Sequence, residues 1–139
     1  MSLSMRSNKL AAYSSVAAHG GVAANDPHLL ILMLMDGAME RMAMARGCLE
    51  AGDVAQKAAL LQRVVTILGE LRGSLDLEHG GALALNLRDL YDYMERQLLR
   101  ANAENKAAHI DEVRSLLGEI RQAWQAVPLE LRGERAAAR

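Results

Sequence analysis

Apolar residues recur along this chain at the three- and four-residue steps of helix faces. Leu61, Val64, Val65, Leu68, Leu71 and Leu75 form one stripe, and Leu83, Leu87, Leu90, Tyr91, Met94, Leu98 and Ala101 form a second. Between them lies Asp76-Leu77-Glu78-His79-Gly80-Gly81, whose adjacent glycines suit a helix stop and a chain reversal. The pattern predicts helices over Val54–Leu75 and Leu83–Asn102, folded back on each other as an antiparallel pair. Upstream, Asn25-Asp26-Pro27 is a helix start: a capping side chain, then proline where its missing N–H is not needed. From His28 to Leu49 the sequence is apolar on most sides, which predicts a buried helix. Its methionines fit either a core or a peptide-binding face, and core is the favoured reading. Asn102-Ala103-Glu104-Asn105 reads as a polar turn. Beyond it Ile110, Val113, Leu116, Leu117, Ile120, Trp124 and Val127 make a fourth stripe, stopped by Pro128 and Gly133.

Four such helices joined by short loops predict an all-α, antiparallel up-down four-helix bundle over residues 26–127. Residues 1–25, with Leu10, Tyr13 and Val16 at helical spacing before His19-Gly20-Gly21, are predicted to be a mobile N-terminal segment carrying a short helix. Residues 128–139 are predicted to be a disordered charged tail.

Composition agrees with helices. Of 139 residues 51% are hydrophobic but only 3% aromatic, with no Phe, so Leu, Ala, Val and the 8 Met must fill the core. A net charge of -1 gives no electrostatic basis for binding nucleic acid. The longest apolar run, Leu29 to Met35, falls far short of the roughly 20 residues of a membrane span, so no membrane insertion is expected. One cysteine, Cys48, and no secretory leader predict a soluble protein of the cytoplasm.

The chemistry of catalysis is missing from the pattern. A bundle di-metal site needs Glu-x-x-His on two helices, and Asp76-x-x-His79 is a lone partial match at a helix end. All four histidines, His19, His28, His79 and His109, are expected to be solvated. Nor does any histidine open the His-x-x-Lys-Gly pattern of a phosphotransfer domain. Cys48 has no basic neighbour to activate it, and Gly80-Gly81 lacks the strand-to-helix setting of a phosphate loop. Glu112, Glu119 and Arg121 read as a solvated face with local ion pairs. No catalytic residue, metal ligand or cofactor is expected. What remains is surface. With Tyr91 in the core, Tyr93 points outward near Asn86, Asp89, Arg96 and Gln97, and Leu85 also leaves the main stripe. Such a wall suits a groove for an apolar peptide.

At these residues the sequence resembles the flagellin-specific secretion chaperones of the bacterial flagellar export system, the FliS family. The likeness runs through Ser74-Leu75-Asp76-x-Glu78-x-Gly80-Gly81-x-x-Ala84-x-Asn86-Leu87-x-x-Leu90-Tyr91-x-Tyr93-Met94 and on into Arg96, Leu98, Ala101 and Asn102. Upstream, Ala12-Tyr13-x-x-Val16 and Pro27-x-x-Leu30-x-x-Met33-Leu34-x-Asp36-Gly37-Ala38 take part, and downstream Glu112-Val113-x-x-Leu116-Leu117 and Ala123-Trp124. The resemblance implies a non-enzymatic bundle that binds the disordered C-terminal segment of flagellin, prevents its premature polymerisation and delivers it to the cytoplasmic domain of the flagellar export gate. It also implies an N-terminal segment, here around Leu10 and Tyr13, that covers the client groove and moves aside. The expected client-binding set is Leu10, Tyr13, Leu75, Leu85, Asn86, Asp89, Tyr93 and Gln97. Two departures stand out: Met35 occupies a position often aromatic in the family, and Asp26-Pro27 replaces a Ser-Pro helix start. Alternative readings are a helical adaptor for another secretion substrate or regulator, and a metal-bearing bundle enzyme. The sequence is compatible with a monomer or a weak homodimer.

Overall fold

The computed structural model describes residues 26–128, and within them the chain forms four helices. These are α1 (Pro27–Ala51), α2 (Val54–Gly73), α3 (Gly81–Glu104) and α4 (Ala107–Gln125). The Asp26 carboxylate caps α1 by accepting from the Leu29 N–H at 3.2 Å. Gly52, left-handed at φ 77, ends it. Asp53 at once caps α2 by accepting from the Gln56 N–H. The two loop glycines are needed for different reasons. Gly81 takes φ +61, whereas a Cβ on Gly80 would meet the Asp76 carbonyl at 2.5 Å. The last turn is tighter than the sequence suggests. α3 runs on through Glu104, and Asn105, left-handed at φ 55, reverses the chain.

Every neighbouring pair of helices is antiparallel, as the partners of individual residues require. Gly37 faces Ile67 across α1 and α2. Arg72 reaches Asp92 and Glu95 across α2 and α3. Tyr93 meets Glu112 across α3 and α4, and Arg46 meets Asp111 across α1 and α4. The turns at Gly52-Asp53 and Asn105-Lys106 therefore share one end of the bundle, the turn end. Loop 74–80, the start of α1 and the finish of α4 share the other, the loop end.

Inward stripes from all four helices make one core. It contains Ile31, Met35, Ala38, Met42 and Ala45 of α1; Leu61, Val64, Ile67, Leu68 and Leu71 of α2; Tyr91, Met94, Leu98 and Ala101 of α3; and Ile110, Val113 and Leu117 of α4. Met35, the departure noted above, is a core residue. α1 is not buried all round, however. Neighbours on two sides leave its far face in water, and Met44 is 55% exposed.

Three polar residues, His28, Lys57 and Gln97, are buried against expectation, the first two at the ends of the bundle. His28 is buried rather than solvated: its ring stacks on Trp124, with centroids 4.8 Å apart. Its Nε2 lies 2.6 Å from the Trp124 carbonyl, which can only accept, so Nε2 carries the proton. In return the Trp124 indole N–H donates to the His28 carbonyl at 2.9 Å. This clamp joins the first turn of α1 to the last turn of α4. At the turn end Lys57 is buried, its ammonium donating to the Asn102 carbonyl at 3.0 Å and to the Asn105 side-chain oxygen. It thereby caps the carbonyl end of α3 and holds the left-handed Asn105. Lys57→Met keeps the volume but strands both acceptors. Urea titration followed by circular dichroism is expected to show a loss of about 1–3 kcal/mol, and an unchanged midpoint would contradict this role.

Candidate binding seam between the third and fourth helices

The site is built on the flank of α3 that faces α4. Leu83, Leu90 and Gln97 lie seven residues apart, one above the other on a helix. Along this column exposure changes steadily: Gln97 is 8% exposed, Leu90 36% and Leu83 55%. The column is thus covered toward the turn end and bare toward the loop end. The inner wall of the seam is apolar, made of half-buried Leu87 from α3 and Leu116 and Ile120 from α4, all packed against the core. Loop 74–80 carries a further exposed apolar residue, Leu77, at 45%. Between the middle of α3 and the second turn of α4 the Tyr93 hydroxyl donates to the Glu112 carboxylate, at 2.8 and 2.9 Å from its two oxygens. This bond stabilises the phenol and raises the Tyr93 pKa above 10.0. The Arg96 guanidinium sits 6.0 Å from the centre of the tyrosine ring.

The residues expected at the site distribute unevenly. Asn86 is exposed and Tyr93 half-buried on the flank that faces α4. Leu75 sits at the loop end, half-buried and packed against the core. Leu85 is 41% exposed, but on the outer wall of α3 beside exposed Asp89, which pairs with Arg88 at 3.2 Å. Gln97 does not face outward. It is buried where α3 and α4 close together, and its side-chain oxygen accepts from Arg100 at 3.5 Å. Leu10 and Tyr13 lie outside the described residues, as does the tail beyond Pro128.

Leu83 and Leu90, assigned to the core stripe from their spacing, are surface residues, and Ala84 is buried in their place. Glu112 and Arg121 were read as members of local pairs, but they reach across helices to Tyr93 and Asp36. The seven-residue column 83-90-97 is visible in the sequence beside the core positions 84-87-91-94-98. What the sequence lacks is the side on which α4 lies.

Charge elsewhere serves the frame. Arg46 binds the Asp111 carboxylate with two nitrogens, at 2.7 and 3.2 Å, and holds its pKa below the model-compound value of 3.8. Asp76 is likewise held low, chiefly by the His79 backbone N–H, in a loop turn that leaves His79 solvated. Among the described residues no group of three or more His, Cys, Asp or Glu is arranged to hold a metal, and no helix is long and apolar enough to cross a membrane.

Fold and seam together define an all-α bundle with exposed leucines on the flank of α3 that faces α4. A family model described as "Flagellar protein FliS" matches residues 9–130. The chain is 44% identical over 117 residues to the flagellar secretion chaperone FliS of Salmonella typhimurium, covering 84% of this chain and 87% of that one. It is 41% identical over 115 residues to FliSB of Pseudomonas aeruginosa (83% and 91% covered) and 35% identical over 128 residues to FliS of Vibrio cholerae (92% and 94% covered). The chain belongs to the FliS family of flagellar secretion chaperones.

Proposed function

We propose that this protein is a cytoplasmic export chaperone that binds the C-terminal segment of flagellin, keeps it from polymerising and delivers it to the flagellar export gate. The observation that carries this reading is the tapering column Gln97, Leu90, Leu83 beside the apolar inner wall of the seam. An elongated apolar flank, covered at one end and bare at the other, fits an amphipathic client helix laid along it, with its greasy face against Leu83, Leu87 and Leu90. Polar residues at the rim, Asn86 among them, supply hydrogen bonds that fix register without deep burial. A client that folds as it binds loses part of the interaction energy to ordering, which keeps release at the gate feasible. Membership of a secretion-chaperone family supports the same role.

Titration calorimetry with a peptide from the C-terminus of the cognate flagellin is expected to show saturable binding. Its enthalpy should become more negative on warming, the mark of apolar burial. No heat at either of two temperatures and high micromolar peptide would rule this client out.

A further inference from the structure

Charge is distributed unevenly along the flank where α3 meets α4. The Tyr93–Glu112 hydrogen bond fixes the register of these two antiparallel helices. Seven residues toward the loop end on each helix, the same register sets Asn86 level with Glu119. Both are exposed, so Glu119 stands beside the bare stretch of the column between Leu83 and Leu90. Arg121, two residues on, turns toward α1 and pairs with Asp36 instead. Glu78, in the loop that leads into α3, is a second exposed carboxylate at this end. Asp76 in the same loop is held ionised, chiefly by the His79 backbone N–H, whereas Asp89 is paired with Arg88 at 3.2 Å.

The turn end carries the opposite sign. Arg100 stands seven residues beyond Tyr93 on α3, and Arg96 lies between them with its guanidinium 6.0 Å from the centre of the tyrosine ring. Glu104 is shared there by Arg100 at 3.2 Å and Lys106 at 3.5 Å, which leaves the cations in excess. One flank therefore presents bare leucines among carboxylates at one end and covered positions among cations at the other. A client helix has a complementary polarity built in, because its N-terminus is the positive end of its macrodipole and its C-terminus the negative end. Apolar contact alone is non-directional and selects neither sense of the helix. We propose that this charge gradient fixes the direction of the bound client helix. The helix lies parallel to α3, its N-terminal half on Leu83 and Leu90 with a lysine or arginine against Glu119, and its C-terminus toward Arg96 and Arg100. This deepens the client-binding reading above and rests on it.

Calorimetry of the full chain with the flagellin peptide is expected to show about 3–10-fold weaker binding for Glu119→Lys at about 0.05 M salt, with the gap closing by about 0.5 M as charges are screened. Glu40→Lys makes the same charge change on the exposed outer face of α1 and is expected to leave affinity unchanged. No loss for Glu119→Lys, or an equal loss for Glu40→Lys, overturns the proposal. Direction is read separately in a Cys48→Ser background. A spin label at Ala82→Cys, exposed in the first turn of α3, is measured against a second label on either end of the peptide. The N-terminal label is expected to lie closer, and a C-terminal label as close or closer overturns the proposal. If the parent does not bind the peptide at all, the flagellin reading fails, and two model helices with one leucine stripe decide the gradient. One carries lysines in its N-terminal half and glutamates in its C-terminal half, and the other carries the reverse. Tighter binding of the first sustains the gradient, whereas equal binding or none overturns it.

Discussion

Trp124→Ala is expected to destabilise the bundle by about 3–4 kcal/mol, as truncation of a well-packed tryptophan does. The substitution removes the surface on which the His28 ring stacks and the indole N–H that satisfies the His28 carbonyl. His28 is buried at 4% exposure, so its carbonyl, left without the indole donor, cannot regain water without fraying the first turn of α1, although its ring keeps the backbone carbonyl of residue 124. For a bundle of about 100 residues this predicts a fall in melting temperature of roughly 12–30 °C. Trp124→Phe keeps a stacking ring and loses only the donor, so it is expected to recover most of the loss, leaving about 1–1.5 kcal/mol. This chain has 1 Trp, so unfolding must be followed by far-ultraviolet circular dichroism rather than by fluorescence. A loss below about 1 kcal/mol for the alanine variant would mean that the clamp is not a structural tie.

The second large effect concerns binding. Leu90→Asp is expected to weaken the flagellin peptide by at least about 100-fold. Burying a leucine side chain is worth about 1.5–3 kcal/mol, and an unpaired carboxylate in its place adds desolvation to that loss. At 36% exposure Leu90 is not fully committed to the core, so the fold should survive. Leu99 is the control. It is 55% exposed and lies nine residues on, about 180° around the same helix. Leu99→Asp is therefore expected to change neither helicity nor affinity. Equal losses for the two variants would mean that the client does not use the α3–α4 seam.

How much of this was legible beforehand depended on the range of the interaction. The start of α1 was readable because Asp26 caps a backbone N–H three residues away. Loop 74–80 was readable because glycine is needed where φ is positive or a Cβ would clash, as at Gly81 and Gly80. Interactions that span tens of residues were not readable. Tyr93–Glu112 is 19 residues apart in sequence and His28–Trp124 is 96. The family motif points to α3 and to Tyr93, which lies on the flank facing α4, yet it could not separate Leu90 from Leu87, which sit three residues apart on adjoining faces.

Read alone, the order of residues was enough to specify helices, their stops, their antiparallel sense and the family. Those features come from spacing, capping and short loops, which act within a few residues of one another. Assembly was needed to decide which stripe is core and which is surface, and why a lysine and a histidine are inside. A helix face has no fixed environment of its own: α4 covers Gln97 and leaves Leu83 bare, although both stand in one column of α3.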